Sequence, residues 1–408
     1  MTFLYDLGIR VFNLFIVVAS LFDKKAKDWL TGRKGLFESL ASNVSEGDKI
    51  IWFHVSSLGE FEQGRPLMEA LKKNKKGYKI LLTFFSPSGY LVRKDYSGAD
   101  YVFYLPLDTR RNARKFLGIV KPEMVFFIKY EYWYHFLHQL KDSQSKVFLV
   151  SAIFRLQQLF FRSYGKWYRR MLHCFDHIFV QDVRSVELLA SVSVRNVTLS
   201  GDTRFDRVKQ IAGESKKIDI AERFASGAFT YVCGSTWEKD EEILIKYIDR
   251  DTSSRFIIAP HEISESHIDS LAGKLGKRAI RFSEAGGKLN EFSVLIIDNI
   301  GMLSAIYKYG HVAYVGGGFG AGIHNILEAA VYGLPVVFGP NYQRFYEAVE
   351  LIKDGGAFSV SSYEECKLNF DELQFNKSSY ARASKATTNF VTRNLGATDM
   401  ILDYLKKS

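Results

Sequence analysis

The chain opens on an apolar stretch, 1–22, interrupted only by Asp6 and Arg10, and its uncharged run covers 11–22. A spanning helix needs about 20 apolar residues, so the pattern predicts an apolar helix lying in or dipping into a leaflet. Lys24, Lys25, Lys27, Arg33 and Lys34 follow it, and next to anionic lipid each basic residue contributes ~1 kcal/mol. A cleaved signal would have a basic start and a small-residue cleavage site; neither is present. The alternative is a first helix packed on the core. From Lys49 onward the pattern changes to short apolar runs alternating with longer amphipathic ones. Runs at 50–56, 78–85, 101–104, 124–128, 146–151, 175–181 and 197–200 predict strands, with helices at 62–73 and from 89. The pattern then restarts, with strands at 229–233, 255–259, 294–297, 311–315 and 334–338 and a helix at 239–247. Such alternation predicts an α/β chain of two doubly wound parallel-sheet domains facing a cleft. The polar stretch 206–217 is the linker candidate, and 378–405 reads as an amphipathic helical tail. The expected organisation is an anchor over 1–30, domains over 31–205 and 206–385, and a C-terminal helix over 386–408.

Composition narrows the function classes. A chain of 408 residues, 47% hydrophobic and 25% charged, is ordinary globular material, which excludes disorder, collagen and coiled coil for the whole. The 55 Lys and Arg against 45 Asp and Glu leave a net +10, which points to an anionic partner: nucleic acid, a membrane surface or a phosphorylated substrate. Cys174, Cys233 and Cys366 form no CxxC pair, which argues against a disulfide scaffold or structural zinc and for a reducing compartment.

Candidate chemistry collects at strand ends. At 311–340 a strand runs into Gly316, Gly317, Gly318, Gly320 and Gly322, and a helix is expected from His324 or Asn325. Glycines allow close ligand approach, and a helix N-terminus suits phosphate or carboxylate; Glu328 could accept from ribose hydroxyls. Tight turns alone are the alternative. At 54–64, Glu60 follows a Ser56–Ser57–Leu58–Gly59 turn at a helix start, placed for catalysis at the carboxyl ends of strands or simply favouring the helix dipole. His54 reads as a packed strand-end residue. Ser235 and Thr236, after the strand ending at Cys233, hold phosphate or cap the next helix; His261 again stands at a strand end. Basic clusters occur at 72–76, at 110–115 and at Arg155, Arg162, Lys166, Arg169 and Arg170, the last interleaved with Phe160, Phe161, Tyr164, Trp167 and Tyr168. Such mixed stretches serve nucleic acid or lipid headgroups; a solvated helix face is the alternative. No metal-binding or Walker motif stands out.

Taken in order, these pieces resemble the 3-deoxy-D-manno-octulosonic acid (Kdo) transferases. The Ser-Gly-Glu turn lies at 55–60, with Ser56 or Ser57 taking the family serine. Thr83–Gly89 resembles the family's Thr-x-x-Ser-Pro-x-Gly, Tyr104–Asp108 its Tyr-Leu-Pro-x-Asp, and Tyr130–Trp133 its Glu-Thr-Glu-Leu-Trp. Gly201–Asp206 resembles its Gly-Asn/Asp-x-Lys/Arg-Phe/Tyr-Asp, Ser235–Glu238 its Ser-Thr-x-x-Glu, and Gly316–Gly317, His324–Asn325, Leu327–Glu328 and Gly339–Pro340 its donor-site run. Three positions depart from it. Lys129 replaces the first Glu of Glu-Thr-Glu-Leu-Trp, the arginine of Pro-Arg-His-Pro-Glu is missing around His261, and Ile326 replaces the proline after His-Asn. Arg204 or Lys239 could supply the missing cation.

The resemblance implies a membrane-associated, inverting glycosyltransferase of the GT-B fold, with two Rossmann-like domains and a short N-terminal anchor. It would move Kdo from CMP-Kdo to a phosphorylated lipid A precursor, lipid IVA, without metal or other cofactor. Glu60 would be the general base. Ser235, Thr236, His261, Gly316, Gly317, Gly318, His324, Asn325 and Glu328 would hold CMP. Ser56, Ser57, Gly59, Ser86, Glu131 and Arg162 would meet the acceptor. Partners would be those two substrates and the anionic cytoplasmic face of the inner membrane, with no nucleic acid. The competing readings are a GT-B enzyme using a UDP-sugar on a lipid, a nicotinamide dehydrogenase, which would need an early GxGxxG, and a non-enzymatic RNA- or membrane-binding protein.

Overall fold

The computed structural model describes residues 1–287 and 289–407. They form two compact units, Met1–Arg207 with the C-terminal segment from Leu395, and Val208–Asn394.

The first unit holds seven parallel strands: β1 (Lys49–Val55), β2 (Tyr78–Phe84), β3 (Tyr101–Tyr104), β4 (Met124–Ile128), β5 (Lys146–Ala152), β6 (His177–Val180) and β7 (Val197–Leu199), in the order β3-β2-β1-β4-β5-β6-β7. Six of the seven β1 residues are buried, as a strand covered on both faces requires. Ile50 and Trp52 enter the core on one face with Phe127 and Phe136, and Ile51, Phe53 and Val55 enter the core on the other with Phe126 and Phe148.

The second unit repeats the plan with β8 (Thr230–Thr236), β9 (Arg255–Pro260), β10 (Ala279–Arg281), β11 (Val294–Ile296), β12 (Val312–Val315), β13 (Val336–Phe338) and β14 (Ala357–Ser359), ordered β10-β11-β9-β8-β12-β13-β14. Strands β10 and β14 lie outside the strands expected from sequence; each is a three-residue edge strand. In each sheet the winding reverses once, between β1 and β4 and between β8 and β12. Doubly wound sheets bind ligands outside the carboxyl ends of the strands at such switch points.

Two expectations about the connections need correction. The stretch read as a polar linker is largely helix: Thr203–Glu214 is helical, and the passage between units falls inside it at Arg207/Val208. Its buried Phe205 and Val208, three residues apart, are the apolar stripe that makes it a helix. The tail is two helices, Lys377–Arg393 and Ala397–Lys407, broken where Gly396 adopts φ +97°. The Asp206 carboxylate accepts from Gly396 N and Thr398 N at 2.7 Å each, so the last helix returns to the first unit and buries Ile401 in its core.

Helix α1 (Thr2–Ala19) is long and apolar enough to cross a membrane by length and composition, yet it is docked. Thr2, Tyr5, Asp6, Ile9, Asn13 and Ile16 are half-buried, and Phe3, Leu4, Leu7, Val11, Leu14, Phe15 and Val18 are exposed. The Tyr5 hydroxyl donates to Asp108 at 2.5 Å, and Asp6 pairs with His135 Nε2 at 2.6 Å. Asp108 is fully buried and also accepts from the N–H groups of His135 and Phe136. The acid of the Tyr-Leu-Pro-x-Asp segment is therefore a clamp for α1.

Candidate active site

Strand β1 ends at Val55, and Ser57 caps helix α2 (Leu58–Asn74) by accepting from Glu60 N at 3.3 Å. Glu60 answers with Oε2, which accepts from Ser56 N at 2.6 Å and Ser57 N at 3.1 Å. This is a capping box, so the helix-start role foreseen for Glu60 is realised. A carboxylate that only capped a helix would be held low by those N–H groups and the dipole. Glu60 is instead pushed up from 4.5 to about 7, first by burial and then by the negative charge of Glu131, against the opposing pull of the Ser56 and Ser57 N–H groups and Lys129. Its Oε1 accepts no hydrogen bond among the described residues.

Glu131 follows β4, the other strand at the switch point. It is buried, and its Oε2 accepts from His54 Nε2 at 3.0 Å and Trp133 Nε1 at 2.5 Å. His54, fully buried, sets its Nδ1 2.8 Å from Thr83 Oγ1, which itself accepts from Trp52 Nε1 at 2.8 Å. The His54 ring bridges Thr83 and Glu131. His54 is thus packed, as expected, but it also holds the carboxylate that perturbs Glu60. Ser86 N donates to the Ser56 carbonyl at 2.9 Å and joins the ends of β1 and β2, while Ser86 Oγ pairs with Ser88 Oγ at 2.9 Å. Ser56, Ser57, Gly59, Glu60, Ser86 and Glu131 therefore stand together around three adjacent strand ends. Arg162 does not join them through any hydrogen bond or ion pair among the described residues. The basic–aromatic stretch around it is not one open surface: Phe160 and Trp167 are buried, and Arg169 donates to the carbonyls of Phe160 and Arg162. Arg162 and Tyr164 are exposed.

In the second unit the glycine loop leaves β12 at the β8/β12 switch point. Gly316 is pressed against the β8 turn, where a Cβ would stand 2.3 Å from Ser235 O. Gly318 meets the backbone of Gly339 at 2.6 Å from its own would-be Cβ. Asp240 organises the loop: Oδ2 accepts from Gly317 N at 2.9 Å and Trp237 N at 3.0 Å, and Oδ1 accepts from Tyr314 at 2.8 Å. Burial pushes this carboxyl up. Sequence reasoning missed Asp240, because the bond that reveals it spans 77 residues.

Trp237 Nε1 donates to His324 Nε2 at 2.9 Å with the rings 9° from coplanar, and His261 stacks 4.5 Å from the centroid of each. Accepting at Nε2 makes His324 neutral with its proton on Nδ1; burial and the neighbouring His261 lower its pKa. Ser235, at φ +53°, stands in the turn beside Gly316. Thr236 does not open to the loop: it is fully buried and donates to Glu241 at 3.0 Å. The helix expected from His324 or Asn325 is a single turn, Leu327–Ala330, with Asn325 Oδ1 accepting from Leu327 N and Asn325 Nδ2 donating to Glu328 at 3.1 Å. Asn325 and Glu328 are thus tied to each other, and one turn supplies little dipole.

Two comparisons with known sequences bear on these sites. A family model described as 3-deoxy-D-manno-octulosonic-acid transferase matches residues 14–207. A 3-deoxy-D-manno-octulosonic acid transferase of Aquifex aeolicus is 28% identical over 333 residues, 79% of this chain and 85% of its own length. The chain is similar to the Kdo transferases over most of its length. A Kdo transferase of Haemophilus influenzae is 24% identical over 96% of this chain and 94% of its own, so the likeness takes in both units. Among solved structures, UDP-GlcNAc 2-epimerase from Neisseria meningitidis superposes with a TM-score of 0.63 at 16% identity, covering 88% of this chain and all of that one, a likeness of fold. The chain is accordingly a glycosyltransferase with paired Rossmann-like units.

Proposed function

We propose that the protein moves Kdo from CMP-Kdo to a phosphorylated lipid A precursor such as lipid IVA, in one inverting displacement with Glu60 as general base. The observation that carries the base assignment is a carboxylate with a free oxygen at a switch point, raised to about 7, where a base works best near neutral pH. Glu60 takes the proton of the attacking sugar hydroxyl. The hydroxyl oxygen bonds to the anomeric carbon of Kdo, and the bond to CMP breaks on the opposite side. CMP departs as a phosphate anion, which the N–H groups of the glycine loop and the polar groups of Ser235, His261, His324 and Asn325 would receive. Ser56, Ser57, Ser86 and Glu131 would position the acceptor.

The exposed face of α1 and the lysines behind it favour attachment to the anionic cytoplasmic leaflet. The docked, polar-keyed inner face supports a helix lying in that leaflet. Replacing Glu60 with Gln is expected to cost about 10²–10⁴ in transfer rate while calorimetric CMP binding stays as in the wild type. A variant that transfers at the wild-type rate would remove the base assignment.

A further inference from the structure

The donor in the reading above carries a phosphodiester and the carboxylate of an ulosonic acid, both anionic at neutral pH. The residues already placed at the glycine loop bring no fixed positive charge. Asp240 is negative or neutral, His324 accepts from Trp237 and is neutral, and Glu328 is an acid. Of the two cations that could have served, Arg204 gives its guanidinium to Asp202 at 2.8 Å, and Lys239 sits exposed on the helix Glu238–Ile248.

A different cation stands at the loop. Arg344 lies over Gly322: a Cβ built there would stand 2.6 Å from Arg344 Nη2 and 2.8 Å from the Phe345 ring. Its segment is stapled to the loop, with Asn341 N donating to Gly318 O and Asn341 Nδ2 to Gly320 O, each at 2.9 Å, and Gln343 Nε2 donating to Pro340 O at 2.9 Å. The guanidinium rests 5.2 Å from the Phe345 ring centroid. Arg344 is exposed and makes no ion pair with a carboxylate among the described residues. A planar guanidinium on a segment fixed to the glycine loop suits bidentate contact with phosphate or carboxylate oxygens.

We propose that Arg344 is the cation that pairs with the anionic oxygens of the donor beside the glycine loop. The proposal rests on the CMP-Kdo reading and adds the residue that neutralises the donor's charge. It is tested with full-length protein, by calorimetry with CMP and by steady-state transfer from CMP-Kdo. Arg344→Gln is expected to raise the KM for CMP-Kdo about 10- to 100-fold with kcat little changed, and Arg344→Lys, which keeps the charge without the fork, to recover part of the loss. If the Kd for CMP rises in step, the partner is the phosphate; if KM alone rises, it is the sugar carboxylate. Both outcomes support the assignment. Wild-type transfer with unchanged KM and Kd in Arg344→Gln overturns it alone. A wild-type protein that neither binds CMP nor transfers overturns the donor reading and the inference with it.

Discussion

Glu131→Gln tests the electrostatics around Glu60. Burial is the larger cause of the rise from 4.5 to about 7, and the charge of Glu131 is the second. Glutamine keeps a carbonyl oxygen where His54 Nε2 and Trp133 Nε1 now donate, so the site keeps its shape and loses one negative charge. Taking about one unit for the carboxylate–carboxylate interaction, the scale at which titrations couple, Glu60 should fall from about 7 by that amount, and burial should keep it above the ordinary value. A base acts when deprotonated, so kcat/KM should rise with pH along a limb centred near 7 in the wild type and about one unit lower in the variant. At pH 6 the fraction of active base would grow about fivefold, while the plateau falls because a weaker base transfers protons less well. Profiles of kcat/KM between pH 5 and 9 check this. A limb that stays in place, or moves to higher pH, would refute the coupling between the two carboxylates.

The same raised pKa makes a stability prediction of definite sign. A carboxyl whose folded pKa lies above its unfolded value destabilises the fold as pH rises from about 4.5 through about 7, by at most about 3 kcal/mol before solvent screening at its open side is discounted. Glu60→Gln should therefore gain more in urea unfolding at pH 8 than at pH 5; an equal gain at both values, or a loss that grows with pH, contradicts the assignment. On α1, Phe3 and Phe15 are 75% and 68% exposed. Changing both to Ser should weaken flotation with anionic vesicles, because each buried Phe contributes about 1.5–3 kcal/mol; unchanged flotation would show that this face does not meet lipid.

The central strands were legible because burial on both faces writes an unbroken apolar run, as in 50–53. Edge strands β10 and β14 left no such trace. The helix at 203–214 was hidden by its polar majority, and what closes the chain there, Asp206 on Gly396 and Thr398, acts across about 190 residues. The site divides the same way. Glu60 and the glycine loop are strand-turn-helix and strand-loop patterns that show locally. The pairing of His54 with Glu131, the grip of Asp240 on Gly317 and the approach of Arg344 to Gly322 join residues distant in sequence, and only folding brings them together. Thr236 shows the converse: its motif suggested a ligand contact, and its hydroxyl is taken by Glu241.

The central claim is the transfer itself. Incubating the full-length protein with CMP-Kdo and a lipid A precursor, then recording the lipid by mass spectrometry, should show the precursor gaining the mass of one or more Kdo residues, with CMP released. An unchanged precursor with CMP-Kdo, alongside a mass gain from a UDP-sugar, would contradict the account.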